Sequence, residues 1–154
     1  MKDFGLGGTR QKLQQKEIMN WKKFLIAFIA AFVFMFAFGF VWFGTLMHGA
    51  HQEVSVLFRT KPDFPWLILG QIVTAFFLAM LYARFVPAGG TGAGATLGIL
   101  VGLVFVGNDL IAFAVHPLTM KILWGWIVGD LIMFAVAGAI IGAIYKPGAT
   151  RTIS

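Results

Sequence analysis

The chain of 154 residues contains no cysteine. Disulfides, thiolate metal sites, quinone-linked disulfide exchange and cysteine nucleophiles are therefore excluded, and the redox state of its compartment leaves no mark on it. Charge is scarce too: 12% of residues are Asp, Glu, Lys or Arg, about half of what an ordinary soluble domain carries. Acids are the rarer sign, six against twelve bases, which leaves a formal net charge of +6. A nucleic-acid-binding face would need those bases as an exposed stripe. Here they flank apolar runs, so they read as membrane topology and attraction to anionic headgroups, and no nucleic-acid partner is expected.

Apolar side chains dominate instead: 59% of the residues are hydrophobic, and the mean hydropathy is +0.86. A membrane helix needs about 20 apolar residues, and four such runs use nearly the whole chain. The first, Phe24 to Met47, is uncharged and too long for the apolar region of a cleaved signal peptide. The second, Phe64 to Ala83, is entered through Pro65, which suits a first helical turn. The third runs from Thr91 to Val115 and stops at His116-Pro117; the fourth runs from Ile122 to Tyr145 and stops at Lys146-Pro147-Gly148. The expected fold is an all-α bundle of four transmembrane helices, which two tandem helical hairpins would build.

Lysine and arginine positions orient the bundle. Lys2, Arg10, Lys12, Lys16, Lys22, Lys23, Arg84, Lys146 and Arg151 fall on one side, against Arg59, Lys61 and Lys121 on the other. Both termini are thus expected in the cytoplasm, with connections 48–63 and 116–121 outside. The basic segment 1–23 mixes Lys12 and Lys16 with Leu13, Ile18, Met19 and Trp21, the composition of either an interfacial helix or a basic tail. Residues 147–154 form a second cytoplasmic tail.

The halves echo one another: Gly39, Trp42 and Gly44 match Gly102, Phe105 and Gly107, and Gly70-Gln71-Ile72-Val73 matches Gly129-Asp130-Leu131-Ile132. With two spans in each half, such a repeat would be parallel, about an axis normal to the membrane; chance likeness between apolar helices is the competing explanation. Gly90, Gly94, Gly98 and Gly102 recur every four residues in the third span, with Gly138 and Gly142 at matching depth in the fourth. Small residues at that spacing let membrane helices approach closely, so these two spans are expected to touch there. Phe24, Phe28, Phe32, Phe36 and Phe40 form another four-residue stripe. Lipid contact or packing explains it most simply, a carotenoid or quinone groove less simply.

Intramembrane polar groups are functional candidates because they are costly to insert. At 1.5 Å rise per residue, Gln71, Asn108, Asp109 and Asp130 lie about 10 to 12 Å below the outer ends of their helices, in one layer. Asp109 follows Gly102 by seven residues and therefore shares its helix face. If the fourth span is the neighbour, Asp109 and Asp130 approach one another and can share a proton. Above them, His48, His51, Glu53 and His116 offer ligands for a divalent metal, and His48 and His116 sit at the right height for axial ligation of a haem or chlorophyll. No dense metal motif accompanies them. Polar helix ends explain the histidines equally, and helix-to-helix hydrogen bonds explain the layer.

Several families are excluded by particular residues. Small multidrug transporters carry a glutamate in their first span, which is uncharged here; glutathione-using membrane enzymes carry a Glu-Arg-His-Asn signature that is absent. Gly39, Trp42 and Gly44, then Gly94 to Asn108, Trp124, Gly129-Asp130, Gly138 and Gly142 resemble a bacterial family of four-helix inner-membrane proteins classed as a domain of unknown function. The resemblance covers most of residues 24–146, implies a fold without an activity, and is weakest over loop 48–63. Three function classes follow: an accessory or structural subunit of a larger membrane complex or homo-oligomer, a solute or cation transporter using Asp109 and Asp130, and a metal- or cofactor-binding protein using the histidines.

Overall fold

A computed structural model describes residues 20–57, 59, 61–86 and 89–145, and every regular element among them is helical. Helix α1 (Trp21–Gly39) continues without a break into a π-helical segment, Phe40–Leu46. A short helix α2 (His48–Glu53) and a 3₁₀ turn (Ser55–Leu57) follow, then α3 (Phe64–Phe85), α4 (Thr91–Val115) and α5 (Met120–Ile144). Among the described residues, four helices, counting α1 with its π segment as one, are long and apolar enough to cross a membrane. The expected interfacial helix before Trp21 and the tail beyond Lys146 lie outside the described residues.

Local chemistry sets the helix ends. The Asn20 side chain accepts a hydrogen bond from the Lys23 amide (3.1 Å), capping α1 just ahead of the apolar run that begins at Phe24. Pro65 occupies the first turn of α3, where its missing N–H costs nothing. The reversal between α3 and α4 uses Gly90 at a φ of +105°, a conformation that side chains disfavour. Tyr82 holds this corner closed: it is fully buried, and its hydroxyl donates to the Gly90 carbonyl (3.2 Å).

In space the helices follow the order α4, α5, α1, α3. The tightest pairing is α4 on α5, while α3 and α4 scarcely meet. The glycine stripes explain the first observation. A Cβ on Gly94 would collide with the Gly138 carbonyl, one on Gly98 with the Phe134 carbonyl, and one on Gly142 with the Gly90 carbonyl. Gly94, Gly98, Gly102, Gly138 and Gly142 are all buried in the seam, as their spacing predicts.

The phenylalanine stripe divides in two. At the end of the bundle nearer the termini, Phe24 and Phe28 meet Phe76 of α3 edge-on, at centroid distances of 5.5 and 5.7 Å, so this half is ordinary packing. At the opposite end, which carries the histidines, Phe36 and Phe40 line a cavity.

The first span is not a uniform α-helix, because its last seven residues are π-helical, and the Met47 amide reaches back five residues to the Trp42 carbonyl (3.0 Å). A π segment turns the following side chains about the axis relative to an α-helix. Here it aims Trp42 and Met47 at α5, where Gly125 and Gly129 open a shallow notch for them.

Candidate functional site

The polar layer forms only in part. Asp109 of α4 and Asp130 of α5 are both buried and lie within electrostatic reach of one another across the glycine seam. Oδ2 of Asp109 has no hydrogen-bond partner among the described residues. Asp130 faces a cleft of about 270 Å³ on the side where α3 and α4 stand apart, and Gln71, Gly70 and Thr74 of α3 form its opposite wall. Gln71 and Asp130 occupy matching positions of the two sequence halves, and both line this one cleft. The Thr74 hydroxyl is turned back on the Gly70 carbonyl (2.9 Å).

Asn108 departs from the expected layer. It has the depth of Asp109 but projects from the exposed side of α4, and no described residue bonds to it. A helix turns 100° per residue, so consecutive residues cannot share a face. Once Asp109 enters the seam, Asn108 is carried out of it.

The histidines do not assemble into a metal centre: among the described residues, no three His, Cys, Asp or Glu side chains gather around a common point. His48 pairs with Gln52 one turn on (2.9 Å). His116 bonds to the Ala112 carbonyl of its own helix (3.0 Å) and is absent from the cavity that His48 and His51 share. Bridging of His48 and His116 by one haem or chlorophyll thus has no support in this arrangement. His51 joins elements instead, since the Trp126 indole N–H donates to its Nε2 (3.3 Å) and a backbone hydrogen bond ties it to Phe43 of the π segment. Burial pushes its pKa below 6.5, with nearby His48 pushing the same way and the Phe43 bond opposing.

Two sites were not anticipated from sequence. The first is the keying of Trp42 into α5: its indole N–H donates to the Gly125 carbonyl (3.0 Å), its ring stacks on Phe38 (5.5 Å, 12°), and Gly129 makes room for it. The four-residue spacing of Gly125 and Gly129 was the available signal. The second is a cavity of about 480 Å³ between the π segment and α3, walled by Phe36, Phe40, Phe43, Phe64 and Leu67, with Gln71 at its deep end and His51 at its mouth. A second cavity of about 420 Å³, lined by His48, Gln52, Ser55 and Arg59, shares Phe43, Gly44, His51 and Pro62 with the first. An ion pair between Lys121 and Glu53 (3.1 Å) fastens α2 to the start of α5 beside these cavities.

Fold and site together define an all-α integral membrane protein, a four-helix bundle with a carboxyl pair at membrane depth and an amphipathic recess at one end. Beyond that class the comparisons are silent: no family model, curated protein or solved structure matches the chain.

Proposed function

We propose that this is a non-catalytic accessory subunit of the bacterial inner membrane, with both termini cytoplasmic, that packs against a larger membrane complex through the exposed face of α4. The observation that carries this reading is the outward placement of Asn108. Hydrocarbon offers an amide no hydrogen-bond partner, whereas a neighbouring helix does. Asn108 sits in a stripe with Leu100, Val104, Ile111 and Val115, all more than half exposed, and Gly107 beside it has open space where a side chain would be. A single polar residue in an apolar helix seam with a small neighbour is the pattern by which one helix fixes the register of another. Gentle detergent extraction of the native protein should recover a membrane partner in fixed stoichiometry, and Asn108→Leu should lose it without changing the subunit's own melting. A solitary wild-type species overturns the proposal; a complex made only of this chain would make it a homo-oligomer.

A second reading, passage of a small solute or cation, is favoured by a separate observation. Asp130 opens to a cleft, and its neighbour Asp109 has an oxygen without a partner among the described residues, whereas a purely structural pair would be bonded. Flux into proteoliposomes should then fall to background in the Asp109→Asn, Asp130→Asn double variant, and unchanged flux rejects the mechanism.

A further inference from the structure

We propose that the adjoining cavities at the histidine end bind one phospholipid with an anionic headgroup, its chain among the phenylalanines and its phosphate at Arg59. The two cavities adjoin at Phe43, Gly44, His51 and Pro62, and they differ in character. The portion beside Phe36, Phe40, Phe43, Phe64 and Leu67 is apolar and lies beside membrane-spanning helices, while the portion beyond His51 is lined by His48, Gln52, Ser55 and Arg59. About 480 Å³ for the apolar part alone falls within the range of small-molecule pockets. An occupant must therefore be amphipathic, with its polar end toward Arg59.

Charge decides the headgroup. No carboxylate lines either cavity, and Arg59 is the one lysine or arginine among the described lining residues. A single bond from Nη1 to Asp63 (3.1 Å) engages Arg59. A guanidinium has five N–H donors in a planar fork, so the others can meet phosphate oxygens. The shape has a local cause: the π segment turns Trp42 toward α5 and leaves Gly44 on the cavity wall, where a larger side chain would fill the space. Nothing in this inference depends on a partner at α4.

The test is native mass spectrometry of the detergent-solubilised full chain, titrated with phosphatidylglycerol or with phosphatidylcholine of the same acyl chains. The expected result is a one-to-one complex in which phosphatidylglycerol binds about fivefold tighter, the most that one solvent-exposed charge contact supplies. Arg59→Gln, at an exposed side chain whose loss leaves the core untouched, should abolish that preference. Gly44→Leu should weaken both lipids, because a Cβ there meets only Phe40 at ordinary contact distance (3.9 Å) and the rest of the side chain enters the cavity. Equal affinity for the two lipids in the wild type overturns the proposal, as does a preference that survives Arg59→Gln or binding unchanged by Gly44→Leu. Displacement of the lipid by inorganic phosphate alone would show a free-anion site instead, and equal competition by a neutral long-chain quinone would refute the charge assignment.

Discussion

At the scale of single residues, His51 and Trp42 join elements at the histidine end through hydrogen bonds to α5. His51 accepts the Trp126 N–H only when its Nε2 carries no proton, and its pKa lies below 6.5 because burial disfavours the charged ring. The sign of the pH dependence follows. The unfolded chain takes up a proton on His51 more readily than the folded one, so the stabilisation is fully present above pH 6.5 and is lost as pH falls below it. Thermal unfolding followed between about pH 5 and 8 should show the midpoint dropping on the acid side, and His51→Gln should flatten that drop. A profile identical in the variant would assign the effect elsewhere. Trp42→Phe keeps the ring stacked on Phe38 but removes the donor to the Gly125 carbonyl. A loss of about 1 kcal/mol is expected in a detergent unfolding titration, the usual net worth of one hydrogen bond.

At the scale of the element, a helix pair in lipid is held by closeness of approach, and α4 against α5 depends on glycine for it. Gly94→Leu and Gly98→Leu place side chains where carbonyls of α5 already sit, and each should cost about 3 kcal/mol or prevent the hairpin from closing. Gly92→Leu is the control: it is in the same helix, exposed, with open space at its Cβ, and should be tolerated. Equal losses at all three positions would show that added bulk anywhere on α4, rather than the seam, was being measured, since leucine favours a helix more than glycine does. The π segment acts at the same scale, because a small change of register redirects Trp42, Gly44 and Met47 together.

For the whole molecule, the open side between α3 and α4 matters most, since it exposes Asp130 to a cleft rather than sealing it in the core. Orientation is the other property of the whole. The absence of cysteine makes it directly testable, because one introduced thiol is the only reactive site. Ser55→Cys should be labelled by an impermeant maleimide from outside intact cells, and Ser154→Cys only after lysis. The reverse pattern would invert the bundle.

Residue order alone determined the four spans, their limits to within about three residues, and the seam between α4 and α5, because hydrophobic length and four-residue glycine spacing are one-dimensional signals that lipid enforces. It also singled out Asp109 and Asp130. Direction was another matter. Asn108 and Asp109 look equivalent in the sequence and end on different faces of a helix, because the packing of Gly102 and Asp109 against α5 fixes the rotation of α4. His48, His51 and His116 look like one cluster and end with separate partners, because the π segment and α2 set their positions. The amphipathic recess exists only where α1, its π segment, α2 and α3 meet, and no spacing along the chain records such a meeting.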